Sequence, residues 1–156
     1  MSIKFLFLNN MLNELINMRS RNGGGHIGGG ARVAAPSWVF PGTIWDNCFF
    51  LQDKVDEVSL LLLETETCLE YGEHELPPML ADLPLTWHVH LPLDLPWARG
   101  GRHVAEICSE LMDKAGFLDA RRGVLHPPPA EKSGADRKLL DSFAGRWEKS
   151  GRSCAD

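Results

Sequence analysis

From Ala31 onward the chain repeats one pattern: a short apolar run that closes on proline or a polar residue, then a segment with helical periodicity. The runs are RVAAPSW, EVSLLLLE, TWHVHLP and RGVLHPPP. Runs apolar at successive positions predict strands buried on both faces, and strands separated by helices predict a parallel sheet of βα units. The fold class is therefore α/β. Residues 31–156 hold four such units, whereas a closed eight-stranded barrel takes about 250 residues. The expected architecture is a small open sheet or a partial (β/α) barrel of TIM-barrel type, ending at about half its strands.

The helical segments carry their own signals. In TIWDNCFFLQDK, Thr43 with Asp46 three positions later resembles a capping box, and Ile44, Cys48, Phe49 and Leu51 are expected on one face. HELPPMLADL is expected to form a helix broken or delayed by Pro77 and Pro78. In GRHVAEICSELMDKAGFL, the residues Val104, Ile107, Leu111, Ala115 and Leu118 make one apolar stripe. In ADRKLLDSFAGRWEKS, Leu140, Phe143, Ala144 and Trp147 do the same.

Composition narrows the function classes. The net charge is -5, with Lys and Arg scattered rather than gathered into a stripe, which argues against a nucleic-acid partner. Cys48, Cys68, Cys108 and Cys154 form no C-x-x-C pair, so neither a zinc knuckle nor a disulfide framework is indicated, and a reducing cytoplasm fits best. The N-terminal apolar run from Ile3 to Leu8 is too short and too polar in its continuation for a membrane span or a signal peptide. Leu8, Met11, Leu12, Leu15 and Ile16 have the spacing of a short amphipathic helix, and GGGHIGGG follows it as a flexible linker. Residues 1–30 are expected to be a loosely attached extension, with His26 a linker residue and residues 31–156 the barrel-like domain.

In parallel α/β folds, working residues stand at the carboxyl ends of strands. The four runs place Ser37 and Trp38, Glu64, His88 and His90 with Asp94 just beyond, and His126 at those ends. His88 and His90 are two apart and share a side of their strand. Neutral imidazole is a good ligand for zinc and related metals, so His90, His126 and Glu64 can meet around one divalent cation, zinc, manganese or similar. Proline within two residues of His90 and of His126 ends each strand abruptly and leaves the histidine at the rim. His88, deeper in its strand, reads either as a hydrogen-bonded core residue or as a substrate contact. Asp94 reads as a site residue, a group orienting a ligand histidine, or a turn cap. Trp38 and Trp97 read as walls of a substrate pocket or as core. Ser37 lacks the G-x-S-x-G context of a nucleophile, and no phosphate-binding glycine loop follows any strand.

Taken in order, APSWVFPGT, VDEVSLLLLET, WHVHLPLDLPW and GVLHPPP resemble the cobamide-remodelling phosphodiesterases of the CbiR family, over roughly residues 32–150. The resemblance implies a barrel of the xylose-isomerase-like or endonuclease-IV-like type, with divalent metal at the carboxyl ends of its strands. It implies hydrolysis of the phosphodiester in the nucleotide loop of a cobamide, with His90 and His126 as metal ligands and Glu64 and Asp94 as catalytic candidates. Family members continue into further strands, the next bearing a glutamate ligand, so the chain is expected to be the N-terminal part of such an enzyme with impaired activity. Such a half is expected to self-associate or to pair with a complementary half-barrel chain. The competing expectations are a sugar-phosphate isomerase or epimerase on the same barrel type, and a fragment that only binds a corrinoid or assembles with another chain.

Overall fold

A computed structural model describes residues 32–128 and 135–150; the expected extension over residues 1–30 lies outside the described residues. Strands β1 (Ala34–Pro36), β2 (Glu57–Leu61), β3 (Thr86–His90) and β4 (Gly123–Val124) form one sheet in the order β1-β2-β3-β4. Every pairing is parallel, so each strand lies beside its predecessor in the chain. The helices are α1 (Ile44–Leu51), α2 (Thr65–Leu69), α3 (Gly101–Lys114) and α4 (Ala135–Lys149). None of the described helices is long and apolar enough to cross a membrane.

Strands β2 and β3 bury their apolar side chains fully on one face and leave the other half-open, with Glu57 buried at its start and β4 exposed, which corrects the expectation of burial on both faces. Along β3, Trp87 and Val89 are buried, whereas His88 and His90 are half-buried and Thr86 is exposed. Along β2, Val58 and Leu60 are buried and Ser59 and Leu61 half-buried. Ala35, Val58, Leu60, Trp87 and Val89 join the core that the helices complete with Leu51, Val104 and Leu111. Apolar runs such as SLLLLE satisfy this arrangement because half of each run seals the core and the other half lines the second face.

Helix α1 starts as its sequence predicts: Thr43 Oγ1 accepts from the Asp46 N–H at 3.0 Å, and Asp46 Oδ2 accepts from the Thr43 N–H at 3.0 Å. Ile44, Cys48 and Leu51, at i, i+4 and i+7, turn inward, while Phe49 falls outside that stripe and is exposed. Buried Asn47 fixes the preceding loop. Its amide oxygen accepts from the N–H groups of Val39 and Phe40, and its nitrogen donates to the carbonyls of Phe40 and Thr43. Cys48, Cys68 and Cys108 are free and buried, and burial pushes the Cys48 and Cys108 thiols up to about 12.

The second unit departs from expectation. Its α-helix is the five-residue α2 directly after β2, and the HELPPMLADL segment forms turns and a 3-10 helix over Pro78–Asp82. Pro77 and Pro78 donate no backbone hydrogen bond, so this segment cannot build the ladder of a longer helix. The stripe is buried throughout at Val104, Ile107, Leu111, Ala115 and Leu118, although α3 ends at Lys114 and Leu118 stands in a 3-10 turn over Gly116–Leu118. On α4, Phe143 and Trp147 are buried as expected, but Leu139 rather than Leu140 completes the packed face, because 139, 143 and 147 follow a single i, i+4 row.

Helices α3 and α4 touch backbone to backbone at Gly101, where a Cβ would stand 1.9 Å from the Leu139 carbonyl oxygen and 2.8 Å from the Phe143 nitrogen. Neither backbone group can step aside without shifting its helix. Gly101→Ala is therefore expected to destabilise the fold by about 1–3 kcal/mol, measured as a lower denaturant midpoint with the native circular dichroism retained; an unchanged midpoint would refute the close crossing.

Candidate functional site

The half-open face of the sheet carries the polar side chains, and register decides which of them meet. Ser59 pairs with His88, and Leu61 pairs with His90, which in turn pairs with Val124 of β4. His126 follows two residues past Val124, just beyond the end of β4. The two imidazoles expected to bind metal do come together: His90 Nε2 and His126 Nε2 are 3.1 Å apart, with ring centroids 4.8 Å apart. Two nitrogens each about 2.1 Å from one cation are separated by roughly 3.0 Å at a right angle and roughly 3.4 Å at the tetrahedral angle. The pair therefore has the spacing of two adjacent ligands. Desolvation lowers the His90 pKa, the charge of His126 adds to that, and His88 contributes further, against a backbone hydrogen bond at Leu91 that raises it. The net effect favours a neutral His90 imidazole, and at 3.1 Å one ring nitrogen of the pair donates a hydrogen bond to the other. Among the described residues no third His, Cys, Asp or Glu completes a metal cluster with them.

The other expected residues are distributed around this pair. Glu64 stands at the N-cap position of α2 with its carboxylate on a cavity of about 300 Å³, together with Trp38, Ile44, Leu61, Leu63 and Tyr71. Its Oε2 accepts from the Thr67 hydroxyl at 3.1 Å. Trp38 is 52% exposed at the rim of the same cavity. Leu61 belongs both to the cavity wall and to the register row of His90, so cavity and histidine pair adjoin. Tyr71 is pushed up to about 12 by burial first, then by Cys68, Glu75 and Glu64, so its phenol stays protonated.

Asp94 takes the cap reading. Its Oδ1 accepts from the Thr65 N–H at 2.9 Å and from the Thr65 hydroxyl at 2.8 Å, supplying the N-terminal cap that Glu64 does not. Trp97 is not brought to the site; it is 7% exposed and packs against Phe143 of α4, with ring centroids 5.8 Å apart. Ser37 is buried and continues the sheet, its Oγ accepting from the Leu61 N–H at 2.9 Å and its own N–H donating to the Ser59 carbonyl at 2.8 Å.

His88 is held from behind by a residue the sequence reading did not single out. Its Nδ1 lies 2.6 Å from Oε1 of Glu57, the buried first residue of β2, and Arg122 donates to the same oxygen at 2.7 Å. Arg32 approaches the other Glu57 oxygen at 3.8 Å. Burial alone would raise the Glu57 pKa, but the His88 hydrogen bond and the charges of Arg122, His88 and Arg32 together hold it below the usual carboxylate value. The alternation of Glu57, Ser59 and Leu61 is the one sequence signal that places Glu57 on the histidine face. No family model matches this chain, and no curated protein or solved structure matches it either.

Two expectations follow. Asp94→Ala removes the cap of α2 and is expected to cost about 1 kcal/mol in denaturant unfolding, while Asp94→Asn keeps an acceptor and most of the stability; equal losses in both would count against capping. For Glu57, a folded pKa below the unfolded value of 4.5 means that its stabilisation is present above that pH and is lost as the pH falls through the folded value. Glu57→Gln is thus expected to lower the melting temperature near neutral pH, with the gap to wild type closing as the pH falls below 4.5; a gap that stays constant with pH would rule this out.

Proposed function

We propose that this chain forms the metal-binding part of a barrel-type phosphodiesterase acting on the nucleotide loop of cobamides. The observation that carries the reading is the convergence of His90 Nε2 and His126 Nε2 to 3.1 Å, just at and beyond the carboxyl ends of adjacent parallel strands. Support for the substrate comes from the resemblance of four successive segments, two of which, WHVHLPLDLPW and GVLHPPP, contain these histidines. Sequential strand order with the core on one face of the sheet agrees with part of a (β/α) barrel.

His90 and His126 would hold the divalent metal, zinc, manganese or similar. A bound metal of this kind polarises a phosphoryl oxygen and lowers the pKa of a water ligand. The half-open sheet face gives the phosphodiester access to the imidazoles from one side, while the core-facing residues Trp87 and Val89 exclude water from the other. Two ligands make a weak site, so further ligands would come from substrate, from a second copy, or from a complementary chain that covers this face. A second reading, a corrinoid-binding or assembly fragment without catalysis, is favoured by the same sheet, whose β1 and β4 edges are unpaired among the described residues.

Calorimetric titration with Zn²⁺ and Mn²⁺ is expected to show one site in the wild-type chain, weakened roughly ten-fold or more by His90→Ala and by His126→Ala. Incubation of the metal-loaded chain with a cobamide is expected to release the lower-ligand nucleoside slowly, followed by chromatography. Metal binding that is indifferent to both substitutions would overturn the reading, and metal binding without any cleavage would leave the fragment reading in its place.

A further inference from the structure

We propose that the cavity beside β1 and β2 is a subsite for a flat nitrogen heterocycle, whose face rests on Trp38 and whose ring N–H is donated to Glu64. At about 300 Å³ the cavity lies at the low end of small-ligand sites, which span roughly 300–1,000 Å³. It takes a ring system rather than a large cofactor. Ile44, Leu61 and Leu63 supply apolar wall, and Trp38 and Leu63 are left 52% and 43% exposed at its edge, where a stacked ring would cover them.

The polar lining selects the ligand's hydrogen-bonding character. Ser37 Oγ is engaged by the Leu61 N–H, and the Thr67 hydroxyl donates to Glu64 Oε2. The Tyr71 phenol is held protonated beside Cys68. Glu64 Oε1 accepts no hydrogen bond among the described residues, and a carboxylate oxygen asks its ligand for a donor. Among the described residues no Lys, Arg or His lines the cavity, so a phosphate or carboxylate group meets no counter-charge from them there. The histidine pair lies beside the cavity, on the register row of Leu61, and the binding of the ring does not depend on the phosphodiesterase reading.

The test uses indole and 1-methylindole, matched in size and differing in the N–H, titrated into the whole chain by calorimetry and followed at the Trp38 indole resonance. Indole is expected to bind about ten-fold more tightly than 1-methylindole. Glu64→Leu is expected to abolish that preference while 1-methylindole still binds, and Trp38→Ala to weaken both rings by a similar factor of roughly ten. Glu64 and Trp38 are both exposed, so neither change threatens the fold. His90→Ala with His126→Ala should leave ring binding intact while metal binding is lost, which separates failure of the metal reading from failure of this one. Absence of ring binding, equal affinity for the two rings in the wild type, or a preference that survives Glu64→Leu would overturn the proposal.

Discussion

Strand β3 can bury only every second residue, and that parity governs the rest of the molecule. Trp87 and Val89 enter the core, which commits His88 and His90 to the other face. A slip of one residue would drive two imidazoles into apolar packing and expose a tryptophan and a valine, exchanging favourable burial for unpaired polar groups. With the register locked on both sides, Leu61 and Val124 flank His90, and the chain leaving β4 returns His126 to it. The histidine pair is thus a by-product of core packing on the opposite face of the sheet, and needs no local motif.

The two ends of the half-open face do different work. At the amino end, Glu57 is gripped by His88 and Arg122, with Arg32 nearby, so the first residue of β2 is tied to β3 and to the approach of β4. Exposed arginines add little by themselves, since water screens them, but His88 is largely shielded and its bond to Glu57 is not diluted in the same way. At the carboxyl end, among the described residues, no ion pair joins the strands, and the groups there face the cavity and one another. A rigid base beneath a receptive rim is the usual division in parallel α/β folds.

Most of the architecture was legible because it rests on local patterns. Apolar runs closed by proline or a polar residue marked the strands, the Thr43 and Asp46 pair marked the start of α1, and the stripe beginning at Val104 marked α3. Errors arose where two local signals competed. Pro77 and Pro78 overrode the helical look of HELPPMLADL, and the choice between Leu139 and Leu140 depended on where α4 crosses Gly101, a contact between distant segments. His90 and His126 were legible as strand-end residues, but their meeting depends on β3 and β4 being neighbours. Glu57 was missed, since its partners His88 and Arg122 lie far along the chain and only the β2 to β3 register joins them. Trp97 was misleading for the complementary reason: its position after a strand end says nothing of α4, which covers it.

The bond from Asp94 to Thr65 ties the loop that follows His90 to the first turn of α2, which carries Glu64 and Thr67. These segments are far apart in sequence, yet one carboxylate makes them a single mechanical unit. The loop after His90 therefore cannot shift without carrying the start of α2, and Glu64 with it, or breaking two hydrogen bonds at once.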